Sequence, residues 1–467
     1  MYKVGLGDCF LLSLFNESEK AHHILIDFGV LLGTEDARVK MKKVLENIAG
    51  VTNNRIDTLV VTHEHWDHLS GFYEAKDIFD DLKIGELWLA WTENPENDLA
   101  QKLRKEREDK KKSLAIALNK IKAIQPEQYF TTDKERAAHV AYFEAMNDVF
   151  SFNGELAADG RFTTAEIFDY VKQKAGQNIQ YCKPSNDPFT IKDLEGIRVF
   201  VLGPPEDEKL IKKDLSKKEV YQKMHISEAG TGFFSATEIS STGQQDNHQP
   251  FLNVKQEKYL KNDGSNTKNE LLRRYLDTEP WRKIDNDWLN FAGQLALALD
   301  SDTNNTSLVL AFELIDSGKF LLFPGDAQVG NWLSWHNYEW KVKDRGNELE
   351  TINIKHILER TVFYKVGHHG SHNATLKENG LEMMTDDKLS AMIPVDRKKA
   401  QEKEWDMPYP PLYTALKAKT RGRILMGDES FNENKKPSSL PVWQWETFKK
   451  QVSQDEEGLF VDLEIKC

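Results

Sequence analysis

Short hydrophobic runs recur at both ends of the chain and predict β-strands with a helix among them. Residues 2–15 place a Gly-x-Gly-Asp turn before an apolar run, and residues 24–29 form a second run, which together predict a hairpin. Residues 36–48 have apolar positions at helical spacing, with lysines between them. Residues 58–62 and 84–91 are apolar again and predict two further strands. This order of strands and helix is typical of an α/β fold.

The last part of the chain has the same short hydrophobic runs. Residues 197–202 predict a core strand that ends at Gly203 and two prolines, and residues 307–327 predict a hairpin around a turn at 316–318. Residues 361–373 predict a strand that leads into a pair of histidines. Short strands and helices then alternate, so we expect a second half of the same sheet system.

Two polar stretches interrupt the predicted core. Residues 92–187 are dense in charge and helical in pattern, and residues 206–299 are rich in turn-forming residues. The basic cluster at residues 102–112 is interleaved with acidic residues, which favours a solvated helix face over a nucleic-acid contact. We expect one domain that carries both stretches as insertions, the second of them over the cavity, with its core at residues 1–91, 188–205 and 300–467.

Composition narrows the class of protein. Hydrophobic residues make up 39% and charged residues 29% of the 467 residues, as in soluble globular proteins, and no apolar run is long enough to span a membrane. The first residues do not resemble a secretory signal, so a cytoplasmic location is expected. The net charge of −13 disfavours nonspecific binding to a long polyanion, although a cleft with its own local charge can still accept a phosphodiester. The widely spaced Cys9, Cys182 and Cys467 suggest reduced thiols.

The strongest chemical signal is the segment THEHWDH, directly after the strand predicted at 58–62. It places His63, His65, Asp67 and His68 within six positions, although the whole chain has only 13 histidines. A turn that leaves a strand can bring these side chains into one cavity, whereas a continuous helix would scatter them around its axis. Imidazole and carboxylate groups are ligands of Zn²⁺, Mn²⁺ and Fe, so a metal site is favoured over a histidine-rich surface turn.

Two further strand ends carry residues of the same chemistry. Asp326 follows the run KFLLFPG, and His368 and His369 follow the strand at 361–365. An ordinary turn aspartate and a core histidine are the simpler interpretations of these residues taken singly. Because strands of a layered α/β sheet end along a common edge, we expect both groups to meet the first cluster there.

Together these motifs resemble those of the metallo-β-lactamase superfamily. The resemblance implies an αββα sandwich and a hydrolytic centre with two divalent ions, Zn or Mn. It implies that His63 and His65 hold one ion, that Asp67 and His68 hold the other, and that Asp326 bridges them. It also implies that Asp27, at the end of the second strand, supports the ligand loop.

The later motifs are similar to those of one branch of that superfamily, which includes the nuclease-like domain of bacterial competence DNA-uptake proteins. The segments GLGDC, NNTSLVL, PGDA and KVGHHGS carry this resemblance and occur in that order. By position after the strand, His368 is predicted to be the ligand and His369 to face the substrate as a proton donor. Ser371 is predicted to bind a phosphoryl oxygen, and Asp67 to act as a proton acceptor as well as a ligand.

One residue departs from the superfamily pattern. Most members supply another histidine from the strand that here ends at Gly203. The ion at His63 and His65 is therefore expected to be weakly held or absent, or to recruit His225 or His248 from the second insertion.

These observations favour a metal-dependent phosphodiesterase or nuclease. Hydrolysis of a lactone, thioester or other acyl substrate is the alternative, because the same metal site serves those reactions. An interaction protein with little catalysis, which docks a protein partner through the helical insertion, is the alternative of another class. Nucleic acid is a candidate substrate, and no membrane partner is expected.

Overall fold

The structure is a computed structural model that describes residues 1–16, 18–123, 147, 152, 162–213, 219, 287–343, 346 and 348–466. The chain divides into two compact units. Met1–Lys105, Phe150–Met224 and Asp300–Cys467 form the first unit, and Glu106–Val149 and His225–Leu299 form the second. In the second unit, the described residues are the continuation of one helix, an isolated residue at 147 and the start of another helix. The sheets and the site described below belong to the first unit.

The described strands are β1 Cys9–Phe15, β2 Ala21–Phe28, β3 Arg55–Val60, β4 Lys83–Ala90, β5 Ile179–Cys182, β6 Phe189–Ile191, β7 Leu194–Gly203, β8 Val309–Leu314, β9 Lys319–Phe323, β10 Glu339–Lys343, β11 Leu349–Asn353, β12 Thr361–Lys365, β13 Ser390–Ile393, β14 Ile424–Met426, β15 Val452–Gln454 and β16 Val461–Leu463. The described α-helices are α1 Ala37–Val51, α2 Trp66–Glu74, α3 Lys76–Asp81, α4 Asp98–Ala123, α5 Thr164–Ala175, α6 Glu208–Ile211, α7 Asp287–Asn304, α8 Val329–Ser334, α9 Ile354–Glu359, α10 Arg397–Glu402, α11 Pro410–Lys419 and α12 Val442–Gln451.

Two larger sheets organise the first unit. The first has the order β1-β2-β3-β4-β5, and the second has the order β14-β13-β12-β9-β8-β7-β6. In the first sheet β1 and β2 form an antiparallel hairpin, and the pairs from β2 to β5 are parallel. In the second sheet β9, β12, β13 and β14 run parallel, while β8 is antiparallel to both β7 and β9.

Alternation along the strands sends side chains into different layers. Val60 and Val201 face a core between the two sheets, whereas the neighbouring Leu59 packs with helices of the first sheet and Phe200 with helices of the second. Helices α1, α2, α3 and α5 cover the outer face of the first sheet, and α8, α9 and α11 cover that of the second. Because helices cover the outer faces, these strands are apolar on both sides. The described residues thus form a mixed α/β structure consistent with the predicted αββα sandwich.

The boundaries of the predicted insertions differ in the structure. Helix α5 and strand β5 lie within the range 92–187 that was predicted to be a helical insertion, but they belong to the helical layer of the first sheet and to the sheet itself. Strand β5 pairs in parallel with β4, and Phe168 of α5 is buried in the outer core of that sheet. A helical pattern does not reveal which sheet a helix covers, because that depends on pairing between strands distant in sequence. Most of the second predicted insertion, at 206–299, lies outside the described residues.

Local predictions near the start of the chain are confirmed. The hairpin β1–β2, the helix α1 and the strands β3 and β4 occur where the hydrophobic pattern places them. Cys9 and Cys182 are buried and unbridged, and Cys467 lies outside the described residues. Among the helices that the structure describes, none combines the length and the apolar character needed to cross a membrane.

Candidate metal centre

The segment THEHWDH spans a loop and the first turn of a helix. His63 and His65 lie in the loop after β3, while Asp67 and His68 lie in the first turn of α2, which begins at Trp66. The sequence predicts a turn for all of them, whereas the structure has helix α2 from Trp66 onward. All four side chains are buried. The break between loop and helix, at His65, lets the side chains on both sides of it face one cavity.

Close backbone contacts fix the start of α2. A Cβ atom on Gly29, directly after β2, would lie 2.4 Å from the carbonyl carbon of Asp67 and 2.5 Å from the amide nitrogen of His68. Only glycine leaves room for this approach. The amide of Asp8 donates to the carbonyl of Asp67 at 3.1 Å, and the amide of Gly29 donates to the carbonyl of Asp8 at 3.0 Å. The Gly-x-Gly-Asp turn therefore helps to position the first cluster.

Asp326 and the histidine pair come from neighbouring strands of the second sheet. Strands β9 and β12 are parallel, so the residues that follow them lie at the same edge. The amide of His368 donates to Asp326 Oδ1 at 2.9 Å. His368 and His369 both have left-handed backbones, with φ of 45° and 53°. Such conformations cost non-glycine residues on the order of 1–3 kcal/mol each and are found disproportionately at functional sites.

The potential ligand atoms from both sheets converge. His63 Nε2 lies 3.0 Å from His65 Nδ1, and His369 Nε2 lies 3.0 Å from Asp67 Oδ2. His68 Nε2 lies 3.3 Å from Asp326 Oδ2 and 3.7 Å from Asp67 Oδ2. Ligand atoms around a tetrahedral ion lie about 3.3–3.6 Å apart, because each is about 2.0–2.2 Å from the ion. The separations in this cluster are close to that range.

Among the described residues, three groups of side chains have potential ligand atoms within 4.8 Å of one another. Two of them share Asp326 and are the ligand groups referred to below: His63, His68 and Asp326 in one, and Asp67, Asp326 and His369 in the other. The third, Asp8, Asp27 and His68, lies on the Nδ1 side of the His68 ring. Within the part of the chain that the structure describes, the buried atoms His65 Nε2 and Asp67 Oδ1 have no hydrogen-bond partner. A buried polar atom without a partner is costly, and a cation beside Asp67 Oδ1 would remove that cost. The donor set therefore fits a divalent ion that accepts nitrogen and oxygen ligands.

Asp27 lies where it can hold the ring of His68. Its carboxylate accepts from the amide and the hydroxyl of Thr62 at 2.8 and 2.7 Å, and from His68 Nδ1 at 2.8 Å. Since Nδ1 donates to Asp27, Nε2 is the atom turned toward Asp67 and Asp326. A carboxylate behind a ligating histidine fixes its orientation. The supporting role of Asp27 stays a prediction, and this geometry favours it.

Burial and neighbouring charges divide the histidines into two classes. Burial lowers the pKa of His63 well below its usual value and lowers that of His65 to about 3. Burial also acts to lower the pKa of His68, but the nearby carboxylates, chiefly Asp326 and then Asp27, raise it well above the usual value. For His369 burial is likewise outweighed, mainly by the hydrogen bond to Asp67, and its pKa is raised. In the metal-free protein, the raised values favour protonated His68 and His369, while His63 and His65 are neutral.

The two adjacent histidines face different surroundings. His369 Nδ1 donates to the carbonyl of Pro394 at 2.6 Å, which turns Nε2 toward Asp67. His368 lies outside both ligand groups, with Nδ1 3.4 Å from Gln328 Nε2. Burial lowers the pKa of His368 to about 4. The geometry therefore favours His369 as the ligand and His368 as its neighbour, the reverse of the predicted order.

Ser371 is buried beside the histidine pair, and its hydroxyl donates to Asn373 Oδ1 at 3.1 Å. Its predicted contact with a substrate oxygen remains a prediction. Nothing in the pattern SHN distinguishes a serine that bonds within its loop from one that binds a substrate.

The position of the missing histidine is filled by another side chain. A Cβ atom on Gly203 would lie 2.0 Å from Asn331 Oδ1. The Asn331 amide donates to the carbonyls of Asn305 and Ser307, both at 3.0 Å, so it is held in place. The alternative ligands His225 and His248 lie outside the described residues.

Lys365 and Asp8 are buried beside the cluster and were missed by the sequence analysis. Lys365 forms an ion pair with Asp8 and lies 3.2 Å from Asp326 Oδ1. Burial acts to lower the pKa of Lys365, but the carboxylates of Asp8 and Asp326 raise it above the usual value. The available signal was a lysine at the end of the otherwise apolar run TVFYK, beside an aspartate that closes a glycine turn.

Asp300, near the end of α7, was also not predicted. It accepts from Asn304 Nδ2 at 3.1 Å. Burial, followed by the charges of Asp67 and Asp326, raises its pKa to about 7. A carboxyl group that titrates near neutral pH is a candidate for proton transfer.

Comparison with known proteins bears on the first part of the chain. Residues 3–116 match the sequence model of the metallo-beta-lactamase superfamily. Neither a curated protein nor a solved structure matches the chain. The matched segment contains Asp27 and the cluster from His63 to His68 but ends before Asp326. Together with the two ligand groups, this match suggests a metal-dependent hydrolase.

Proposed function

We propose that the chain is a metal-dependent hydrolase of phosphodiester bonds, acting as a phosphodiesterase or a nuclease. The observation that carries the hydrolase proposal is the convergence of His63–His68, Asp326 and His369 from two sheets into one buried cluster. The preference for phosphodiesters rests on the order of motifs, from GLGDC to KVGHHGS, that resembles the competence-nuclease branch.

The ligand residues are assigned from the atoms that face one another. His63, His68 and Asp326 would hold one ion, with His65 Nδ1 beside His63 Nε2, and Asp67, Asp326 and His369 would hold the other. Asp326 is common to both groups. Divalent ions supply Lewis acidity: they lower the pKa of a water molecule toward about 7 and stabilise negative charge that develops on the substrate.

Other groups of the chain orient the histidine rings and accept a proton. The carbonyl of Pro394 and the carboxylate of Asp27 fix the rings of His369 and His68. Asp67 Oδ1 accepts the proton of the attacking water, since it is buried beside the ligand groups. His368, which lies beside the cluster and outside the ligand groups, would orient the substrate rather than donate a proton, because burial lowers its pKa to about 4 and its ring is neutral near pH 7.

A substrate panel tests this proposal. Purified protein with added Mn²⁺ or Zn²⁺ is expected to hydrolyse bis-p-nitrophenyl phosphate, and at least one of single-stranded DNA, double-stranded DNA, RNA and a cyclic dinucleotide. The double variant Asp67→Asn/His68→Ala should lose this activity. The variant His336→Ala, which changes an exposed histidine outside the cluster, should retain it.

Other outcomes separate the alternatives. Hydrolysis of a lactone or thioester without phosphodiester cleavage would replace the proposed substrate class while leaving the metal centre intact. Much less than one equivalent of metal in the purified protein, with no activity on any substrate, would instead indicate an interaction protein.

A further inference from the structure

Lys365 places a cation inside the carboxylate cluster. Its side chain is 2% exposed, and its ammonium group contacts Asp8 Oδ2, Asp326 Oδ1 at 3.2 Å and the carbonyl of Gly325 at 2.9 Å. These three acceptors match the three N–H donors of an ammonium group. The lysine therefore ties the Gly-x-Gly-Asp turn and the loop after β9 to the end of its own strand, β12.

This contact limits what Asp326 can offer to an ion. Asp326 Oδ1 accepts from the ammonium of Lys365 and from the amide of His368, whereas Oδ2 faces His68. The resemblance to the superfamily implies that this aspartate bridges two ions. In the structure, only one of its oxygens is turned toward the ligand groups.

Asp8 offsets the charge of Lys365, but only one of its two carboxylate oxygens pairs with the lysine. Its Oδ2 pairs with the lysine and lies 3.9 Å from His68 Nδ1. Its Oδ1 is buried and has no hydrogen-bond partner among the residues that the structure describes. The pair thus brings one positive and one negative charge into a medium where charges interact more strongly than in water.

We propose that Lys365 and Asp8 form an internal charge pair that sets the affinity of the centre for divalent ions. Lys365 weakens binding, because it repels a cation and occupies Asp326 Oδ1, and Asp8 strengthens binding, because it neutralises Lys365. Both are positioning residues, and neither is assigned contact with the substrate. The inference rests on the proposed function in one respect: the centre must bind a divalent ion.

The opposite signs of the two charges distinguish this role from a purely structural one. If Lys365 and Asp8 only held the loops together, loss of either residue would disorder Asp326 and weaken metal binding. If they set the local charge, removing the lysine should strengthen binding and removing the aspartate should weaken it. Removing both should leave the affinity close to that of the wild type.

The test uses the full-length chain, stripped of metal and titrated with Mn²⁺ by isothermal calorimetry. We expect Lys365→Met to lower Kd and Asp8→Asn to raise it, each by about 10- to 100-fold, the range typical of residues behind metal ligands. The double variant Asp8→Asn/Lys365→Met should lie within about threefold of wild type, since it removes one positive and one negative charge together and leaves the net local charge unchanged. The control Lys319→Met removes a lysine that pairs with Asp386, at the other end of strand β9, and should leave Kd unchanged.

The outcomes are separable from those that test the proposed function. No Mn²⁺ binding by the wild type would defeat the metal centre itself. Binding by the wild type, with Kd raised in both single variants, would overturn only the charge-pair inference. If Lys365→Met does not fold, as judged by thermal unfolding, Asp8→Asn and the double variant decide: weakened binding in the first must be restored in the second.

Discussion

His368 and His369 show how one backbone turn assigns different surroundings to identical side chains. Both residues have a left-handed backbone conformation, and their rings diverge. The ring of His368 lies toward Gln328 and that of His369 toward Asp67. Spacing in the sequence cannot distinguish the two, because the left-handed turn that separates them leaves no signature in the pair itself. The order inferred from the position after the strand is therefore the reverse of the one that the geometry favours.

Alanine substitutions at the two histidines should separate metal binding from substrate positioning. His369→Ala removes a potential ligand, and we expect it to lower the metal content of purified protein as well as turnover. His368→Ala should leave metal content near that of the wild type and lower turnover by up to about 10²-fold, a cost typical of lost substrate positioning. Metal analysis and initial rates measure both effects. Loss of metal in His368→Ala alone would restore the order predicted from the sequence.

Asp27→Asn tests the support behind His68. Asparagine tolerates the φ of 55° at this position, so the backbone should be retained. The charge that pairs with His68 is lost, however, and we expect metal affinity to fall about 10- to 100-fold. Calorimetric titration measures the change. The matched control is Asp57→Asn, a half-buried aspartate on β3 that pairs with Arg55 and should not affect metal binding.

Proton release should accompany metal binding. The pKa values of His68 and His369 are raised in the metal-free protein, so an ion must displace protons there near neutral pH. The raised values stabilise the metal-free fold below the unfolded histidine pKa, about 6.5, and this contribution is lost as the pH rises through the folded values. Metal affinity should therefore increase with pH.

Calorimetry at pH 7 in buffers of different ionisation enthalpy measures the protons released on metal binding. We expect release of about one proton or more per ion. A binding enthalpy that does not depend on the buffer would contradict the raised pKa values of the two histidines.

At the scale of elements, the last residue of strand β7 lies in close contact with helix α8. Gly203→Ala would place a methyl group against Asn331, whose amide links the backbone before β8 to α8. We expect a loss of about 1–3 kcal/mol in the free energy of unfolding, the usual cost of overpacking. The control Gly196→Ala lies on the same strand with no atom within 4 Å of its Cβ, and should be neutral or stabilising. Chemical denaturation of both variants gives the comparison, and equal stability would show that Asn331 moves aside.

Elements with a local signature were predictable, whereas long-range pairings were not. The hairpin β1–β2 and helix α1 follow from hydrophobic period and turn residues alone. Helix α5 has an equally clear period, but its place beside the first sheet depends on β5 pairing with β4, across a long stretch of intervening chain. The pair of Lys365 and Asp8 was missed for the same reason, since the residues are far apart in sequence and meet only when the two sheets pack.

At the scale of the molecule, an ion in the candidate centre would connect the two sheets. Asp67 and His68 follow the end of a strand of the first sheet, while Asp326 and His369 follow strands of the second. A ligand that binds only the folded chain stabilises it, by about 2.7 kcal/mol at a free concentration 100-fold above Kd. Mn²⁺ should therefore raise the thermal unfolding midpoint of the metal-stripped protein by a few degrees, and a chelator should reverse the shift. In Asp67→Asn/His68→Ala the shift should shrink markedly, because each ligand group loses one of its members from the first sheet. An equal shift in this variant and the wild type would mean that Mn²⁺ acts elsewhere on the chain.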